Sequence, residues 1–185
     1  MPDTELGATL LRLARAAIGE QLGKPAAATA TASHARLHEP GATFVTLTRQ
    51  GNLRGCIGSL EAYRPLAQDV RENALAAAFR DPRFSPLAVE EFESISVEVS
   101  LLTPAVPLAF RDEAEFMTLL RPGVDGIVFQ YGRHRSTFLP QVWESLPEPE
   151  QFMQQLKRKA GLPPNFWHEA VIISRYEVAK WKEGR

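Results

Sequence analysis

The segment QGNLRGCIGSL, residues 50–60, holds the only cysteine of the chain, and glycines lie on both sides of it. In an extended strand residues i and i+2 share a face, so Arg54, Cys56 and Gly58 are predicted to lie on one side. A nearby cation favours the thiolate form of cysteine, which is the nucleophilic form. The spacing therefore predicts a catalytic pair in which Cys56 is the nucleophile and Arg54 holds an anionic group.

The glycines of this segment need a reason of their own, because glycine weakens a strand unless a bulge, a ligand or another backbone requires it. We expect Gly55 and Gly58 to open space beside Cys56 for a ligand. Leu53 and Ile57 are predicted to lie on the opposite, buried face. The alternative is that Cys56 is a small buried hydrophobic residue with no chemical role.

Two charged residues elsewhere are further candidates for ligand binding. Arg83 lies in a loop framed by prolines after an alanine-rich helix, and such loops often carry function. Glu98 lies on the polar side of a predicted strand, where its carboxylate is expected to pair with Arg54 or Arg83. The alternatives are a surface arginine for Arg83 and a solvated sheet face for Glu98.

No metal or cofactor site is predicted from the remaining motifs. His34 and His38 have the i, i+4 spacing of a metal pair, but their segment has a poor helical pattern and offers no third ligand nearby. His134 and His168 are not placed beside Cys56 by the sequence. Both glycine-rich phosphate-binding motifs are absent, so the cofactor stays unknown.

The order of predicted elements indicates the fold class. Hydrophobic periods predict helices beginning at Asp3 or Thr4, at Pro65, at Asp112 and at about Glu148. Predicted strands form one hairpin around residues 50–52, a strand at 94–102, a second hairpin around 132–134 and a last strand at 169–181 with a register change near Ser174. Residues 26–41 are predicted to be a loop. This order favours an α+β fold with a mostly antiparallel sheet and flanking helices.

Length and composition limit the class of protein. The 185 residues favour a single domain, with an internal boundary expected near residues 103–110. A net charge of -1 does not favour a nucleic-acid partner. No apolar run approaches the roughly 20 residues that cross a bilayer, so no membrane association is expected. One cysteine and an N-terminus without the features of a secretion signal indicate a cytoplasmic protein.

Seven segments resemble the AMMECR domain family, and together they span nearly the whole chain. They are FVTL (44–47), LRGCIG (53–58), DVRENALAAAFRDPRF (69–84), VEVSLLTP (97–104), PGVDGIV (122–128), LPQV (139–142) and KRKAGLP (157–163). Within the family the chain is most similar to protein A of the AmmeMemoRadiSam system, a branch found alongside a Memo-like protein and a radical-SAM protein. The resemblance implies one AMMECR domain over residues 1–185, with two unequal lobes, an intracellular location and a site at LRGCIG.

Two functions are consistent with these residues. In the first, the protein is an enzyme or a thiol-using component of a modification pathway with the Memo-like and radical-SAM proteins as partners, and Cys56 reacts. In the second, it is a non-catalytic module that binds a small molecule or a peptide against the sheet. RNA binding lacks both the basic balance and the paired aromatic residues that it needs.

Overall fold

The computed structural model describes residues 2–24 and 34–184. The chain forms two compact units, one made of Met1–Leu102 with Ala179–Arg185 and the other of Thr103–Val178. The α+β class with two unequal lobes is confirmed. Half of the loop predicted at residues 26–41, namely residues 26–33, lies outside the described part, and a 3₁₀-helix is present in the other half at Ala35–His38.

The predicted helices and strands are present in the described residues. The helices are α1 (Thr4–Gln21), α2 (Leu66–Phe79), α3 (Glu113–Leu119) and α4 (Pro149–Lys159). The strands are β1 (Ala42–Arg49), β2 (Asn52–Gly58), β3 (Ile95–Leu102), β4 (Val106–Pro107), β5 (Gly126–Tyr131), β6 (His134–Phe138), β7 (Ile172–Tyr176) and β8 (Val178–Lys182).

The sheet of the first unit has the strand order β2-β1-β3-β8, so β2 is an edge strand. β1 pairs antiparallel with both β2 and β3. The β1–β2 turn consists of Gln50 and Gly51, whose φ angles of 52° and 78° are both positive. Two-residue turns of this kind match the twist of the strands they join, and this confirms the predicted hairpin.

One face of this sheet packs against α1 and α2 and forms the core of the first unit. Val45, Leu47 and Val97 point to this side and are fully buried, as the alternation of β1 and β3 requires. The alanines of α2 bring the helix backbone close to β2. Thr46 and Glu98 lie on the other face and are only half-buried.

A β-bulge in β2 overturns one prediction. Leu47 pairs with Gly55 whereas the next residue, Thr48, pairs with Leu53, so Arg54 is an extra residue in β2. Because side chains alternate between the two faces of a strand, the extra residue places the side chains that precede it on the opposite face of the sheet. Leu53 is consequently 43% exposed, and the prediction that it is buried was wrong. Ile57, which follows the bulge, packs against the core on the predicted face but is only partly buried.

The last predicted strand is two strands, β7 and β8, which belong to different sheets and meet at Glu177. β8 is the fourth strand of the first unit. Its Trp181 ring fills the space beside Gly7 of α1, and Glu183 receives two hydrogen bonds from Arg15. The break between the two strands lies three residues beyond Ser174, near which a register change was predicted.

The second unit has its own sheet and core. The strand order is β4-β7-β5-β6, with antiparallel pairing throughout. Phe152 of α4 stacks on Trp143 with the ring centroids 3.7 Å apart, and both side chains are buried. Asp112 caps α3 through a hydrogen bond from the Glu115 amide, as predicted. Among the described residues, no helix is both long and apolar enough to cross a membrane.

Candidate functional site

Cys56 is half-buried and lies in β2 directly opposite Thr46 of β1. The Cys56 Sγ atom is 3.2 Å from Thr46 Oγ1, so thiol and hydroxyl are hydrogen-bonded. Residues directly opposite each other on neighbouring strands bring their side chains into contact, and the bulge after Leu53 sets this pairing. The sulfur therefore has a polar neighbour, in a residue that is only half-buried.

The loop that follows α2 is shaped by its own sequence. In Asp81–Pro82–Arg83–Phe84 the Phe84 amide donates to the Asp81 carbonyl at 3.1 Å, which closes a turn. Aspartate favours the first position of such a turn, and proline fixes the backbone of the second. The Arg83 amide also donates to Asp81 Oδ1 at 3.1 Å. The turn thus holds Asp81 and Arg83 side by side.

Asp81 and Arg83 together bind the backbone of Cys56. The Cys56 amide donates to Asp81 Oδ2 at 2.9 Å, and Arg83 Nη2 donates to the Cys56 carbonyl at 3.2 Å. Arg83 Nε and Nη2 donate to the two Asp81 carboxylate oxygens at 3.0 and 2.7 Å. β2 is an edge strand, so no further strand of the described chain binds its outer side. The Asp81 and Arg83 side chains bind the Cys56 amide and carbonyl in place of such a strand.

The two charges of this pair differ in exposure. The Asp81 carboxylate is 1% exposed, whereas the Arg83 side chain is 55% exposed. Hydrogen bonds from Arg83 are the main reason that the pKa of Asp81 lies well below its usual range. The same hydrogen bonds raise the pKa of Arg83. Arg83 therefore places an exposed cation at the backbone of Cys56.

Arg54, the predicted partner of Cys56, is instead paired with Glu91 in the 3₁₀-helix Val89–Ser94. Arg54 Nε and Nη2 donate to the two Glu91 carboxylate oxygens at 2.9 and 3.0 Å, and the Arg54 side chain is 12% exposed. The expected pairing of Arg54 or Arg83 with Glu98 was wrong. The bulge explains the change, because it removes Arg54 from the alternation that would place it on the face of Cys56.

The ion pair of Glu91 predicts a loss of stability in acid. Hydrogen bonds from Arg54 lower the pKa of Glu91 from 4.5 to about 2. This pair stabilises the fold fully above pH 4.5, and the contribution disappears as the pH falls towards 2. We expect a loss of about 1 to 2 kcal/mol in the free energy of unfolding over this range, measured by urea denaturation.

The variant Glu91→Gln cannot titrate at this position, so its stability should fall less between pH 5 and about pH 2.5 than that of the wild type. Glu90→Gln is the matched control, since Glu90 is an exposed neighbour in the same 3₁₀-helix. If Glu91→Gln and the wild type lose stability in parallel, Glu91 is not the group that titrates.

Glu98 lies in register with the thiol but not beside it. Thr46 pairs with Cys56 on one side and with Glu98 of β3 on the other, so thiol, hydroxyl and carboxylate form one row across the sheet. Two strand spacings place the backbones of Cys56 and Glu98 about 10 Å apart. Glu98 is half-buried and has no ion pair among the described residues.

The glycines beside Cys56 have packing roles. A Cβ atom at Gly55 would overlap the carbonyl oxygen of Ala77 in α2, so Gly55 allows the helix to lie close to the sheet. A Cβ atom at Gly58 would overlap the ring of Phe44. The space expected beside the thiol is thus filled at Gly58, and at Gly55 it lies on the buried face.

The structure also gives the surroundings of His34 and His134. His34 Nε2 lies 3.0 Å from Asp3 Oδ2, and His34 Nδ1 accepts a hydrogen bond from the Arg36 amide. His134 Nδ1 contacts the Ala160 carbonyl in the second unit. Within residues 2–24 and 34–184, no group of three or more metal-ligating side chains is arranged to hold an ion.

A buried polar network supports the ends of β1 and β2, and the sequence analysis did not detect it. Asp69 of α2 is fully buried and accepts hydrogen bonds from Thr43, Ser59, Arg64 and Asn73. The i, i+4 spacing of Asp69 and Asn73 beside the apolar face of α2 was a signal that could have found it. Thr46 and Glu91 were also missed, because a single strand or turn does not reveal its partner.

The chain is similar to several proteins of archaea over most of its length. A protein of Methanothermobacter thermautotrophicus is 40% identical over 96% of this chain and 94% of its own length, and protein LS215_2104 of Saccharolobus islandicus is 35% identical over 99% and 84%. The crystal structure of protein PH0010 from Pyrococcus horikoshii matches with a TM-score of 0.79 and 33% identity, covering 98% of this chain and 93% of that one. The AMMECR1 family model matches residues 11–181. The chain therefore belongs to the AMMECR1 family.

Proposed function

We propose that this protein is a thiol-using component of a modification pathway, with Cys56 as the reacting group. The observation that carries the proposal is the half-buried Cys56, whose sulfur is hydrogen-bonded to Thr46 and whose backbone carbonyl binds the exposed cation of Arg83. Reactive cysteines lie in partly exposed, electropositive surroundings, whereas structural cysteines are enclosed by apolar side chains. The Memo-like and radical-SAM partners are proposed from the resemblance to the AmmeMemoRadiSam branch.

The proposed chemistry is a nucleophilic displacement. The Cys56 thiol gives its proton to solvent, its sulfur forms a bond to an electrophilic carbon of the ligand, and the displaced group leaves with the bonding electron pair. The Thr46 hydroxyl lies within hydrogen-bonding distance of the sulfur before the reaction. Because Asp81 and Arg83 hold the Cys56 backbone, the sulfur starts from a fixed position on a rigid strand.

The alternative is a non-catalytic binding module. A peptide strand could add to an exposed sheet edge, and β2 is an edge strand. At Cys56, however, the backbone amide and carbonyl already have Asp81 and Arg83 as partners. The half-buried row of Cys56, Thr46 and Glu98 is therefore better suited to a small ligand than to a peptide strand.

Native labelling tests the proposal. We expect iodoacetamide to alkylate Cys56 in the folded protein between about pH 6 and 9, because a partly exposed thiol is reachable without unfolding. Mass spectrometry reads the result directly, since the chain has one cysteine. Cys56→Ser is the unlabelled control. A protein that takes up label only in urea would rule out the nucleophile.

A second measurement separates catalysis from binding. In an assay reconstituted with the partner proteins, Cys56→Ser should lose turnover while its melting temperature stays close to that of the wild type. Cys56→Ala has neither the thiol nor the hydroxyl of the serine variant, and it should behave in the same way. Retained turnover in both variants would favour the binding module.

A further inference from the structure

We infer that Arg83 selects an anionic ligand, one that carries a carboxylate or phosphate group, for reaction at Cys56. The inference rests on the proposed function, because it names the class of ligand that the thiol would meet. Arg83 is more than half exposed, yet its position is fixed by Asp81 and by the Cys56 carbonyl. An exposed arginine held in this way is unusual, since exposed ion pairs are commonly loose.

The geometry of the guanidinium leaves donors free for a ligand. Nε and Nη2 of Arg83 are occupied by Asp81 and Cys56. Nη1 carries two further N–H donors, and within the described part of the chain it has no hydrogen-bonding partner. Planar arrays of guanidinium donors match carboxylate and phosphate oxygens. Because the side chain is already ordered, a ligand loses little affinity to ordering it.

The Asp81 carboxylate balances the charge of Arg83 but does not block the Nη1 donors. The Asp81 carboxylate is 1% exposed and accepts from the Cys56 amide, so it lies away from solvent. The whole chain carries a net charge of -1, and it therefore creates no general attraction for anions. Any preference for an anion at Cys56 must come from a local cation.

The other charges near the thiol decide where the anionic group lies. Glu98 is on the far side of Thr46, about 10 Å from Cys56, and it disfavours an anion over the middle of the sheet. The charge of Arg54 is engaged by Glu91. The anionic group is thereby placed beyond the edge of β2, on the side of residues 81–84.

Two alkylating reagents of similar size test the inference. Iodoacetate is an anion and iodoacetamide is neutral, and with both the Cys56 thiolate forms a sulfur–carbon bond while iodide leaves with the bonding electron pair. The ratio of the two rates cancels differences in thiol ionisation and access. We expect Arg83→Ala to lower the iodoacetate to iodoacetamide ratio about threefold to tenfold. Arg83→Lys should keep part of the preference.

Arg80→Ala is the matched control, because Arg80 lies at the end of α2, has a 59% exposed side chain and gives the same change in charge. Its ratio should equal that of the wild type. Raising the salt concentration from about 0.05 M to about 0.5 M should lower the wild-type ratio, since salt screens exposed charges. This salt series and Arg83→Lys test the inference even if Arg83→Ala fails to fold.

Each failure has a different meaning. A folded Arg83→Ala protein with an unchanged ratio overturns the inference, as does a wild-type ratio that is independent of salt. The inference is also overturned if the iodoacetate to iodoacetamide ratio falls as much in Arg54→Gln or Arg80→Ala as in Arg83→Ala, because the preference would then belong to another cation. If iodoacetamide itself does not label the native protein, the proposed function fails instead.

Discussion

Replacing Asp69 with alanine should lower the free energy of unfolding by about 3 to 5 kcal/mol, the usual cost of breaking a buried ion pair from one side. Its Oδ2 atom accepts from the amide and hydroxyl of Thr43 at 2.8 and 2.7 Å, and its Oδ1 atom accepts from Arg64 Nε at 2.8 Å. The substitution leaves these donors, one of them charged, without their acceptor. Urea denaturation at neutral pH measures the loss.

Glu72→Ala provides the control for this experiment, because Glu72 lies on the same helix and its side chain is 43% exposed. It pairs with Arg80 at the surface, so its removal should cost less than about 0.5 kcal/mol. An Asp69→Ala protein that loses less than about 1 kcal/mol would show that the network contributes little to stability.

Gly55→Ala should lower the free energy of unfolding by about 3 kcal/mol, at the upper end of the range for an overpacked core. The added methyl group would meet the carbonyl oxygen of Ala77. This oxygen belongs to the backbone of α2, so it moves only if the helix moves. Thermal and urea unfolding measure the effect, and native labelling of Cys56 shows whether β2 keeps its structure.

Gly184→Ala is the comparison, since a Cβ atom there meets nothing within 4 Å. We expect that variant to match the wild type within about 0.5 kcal/mol. If Gly55→Ala were equally harmless, the close approach of α2 to β2 would not constrain the fold, and the glycine would need another explanation.

The elements of the first unit were predictable because local patterns decide them. Ile95, Val97 and Val99 alternate with polar residues, and this alone indicates a strand buried on one face. The helical period of α2 was equally clear. The predicted boundary at residues 103–110 coincides with the start of the second unit at Thr103. That the last segment divides between two sheets depends on contacts far apart in the sequence.

The bulge could have been found by combining two signals. A two-residue turn at Gln50 and Gly51 pairs Arg49 with Asn52, which places Leu53 opposite Thr48 on the polar face. Ile57 reaches the core only if one residue of β2 is inserted between these positions. The alternation of β2 alone, without its partner strand, predicted the wrong face for Leu53 and the wrong surroundings for Arg54.

The candidate site was predictable in its residue types but not in its pairings. The sequence marked Cys56 and Arg83, because a lone cysteine and an arginine in a proline-framed loop are unusual in themselves. Their connection through Asp81 joins positions 25 residues apart, and Arg54 and Glu91 are 37 apart. Only the packing of α2 and of the 3₁₀-helix Val89–Ser94 on the sheet brings these groups together.

The position of β8 affects the order in which the protein can fold during synthesis. β8 is the neighbour of β3 in the sheet that carries Cys56, but residues 103–177 come between them along the chain. The contact of Arg15 with Glu183 spans 168 residues. Contacts of such separation form late, because a long loop must close first. A ribosome must therefore release the entire second unit before this sheet can be completed, and β3 remains an open edge until then.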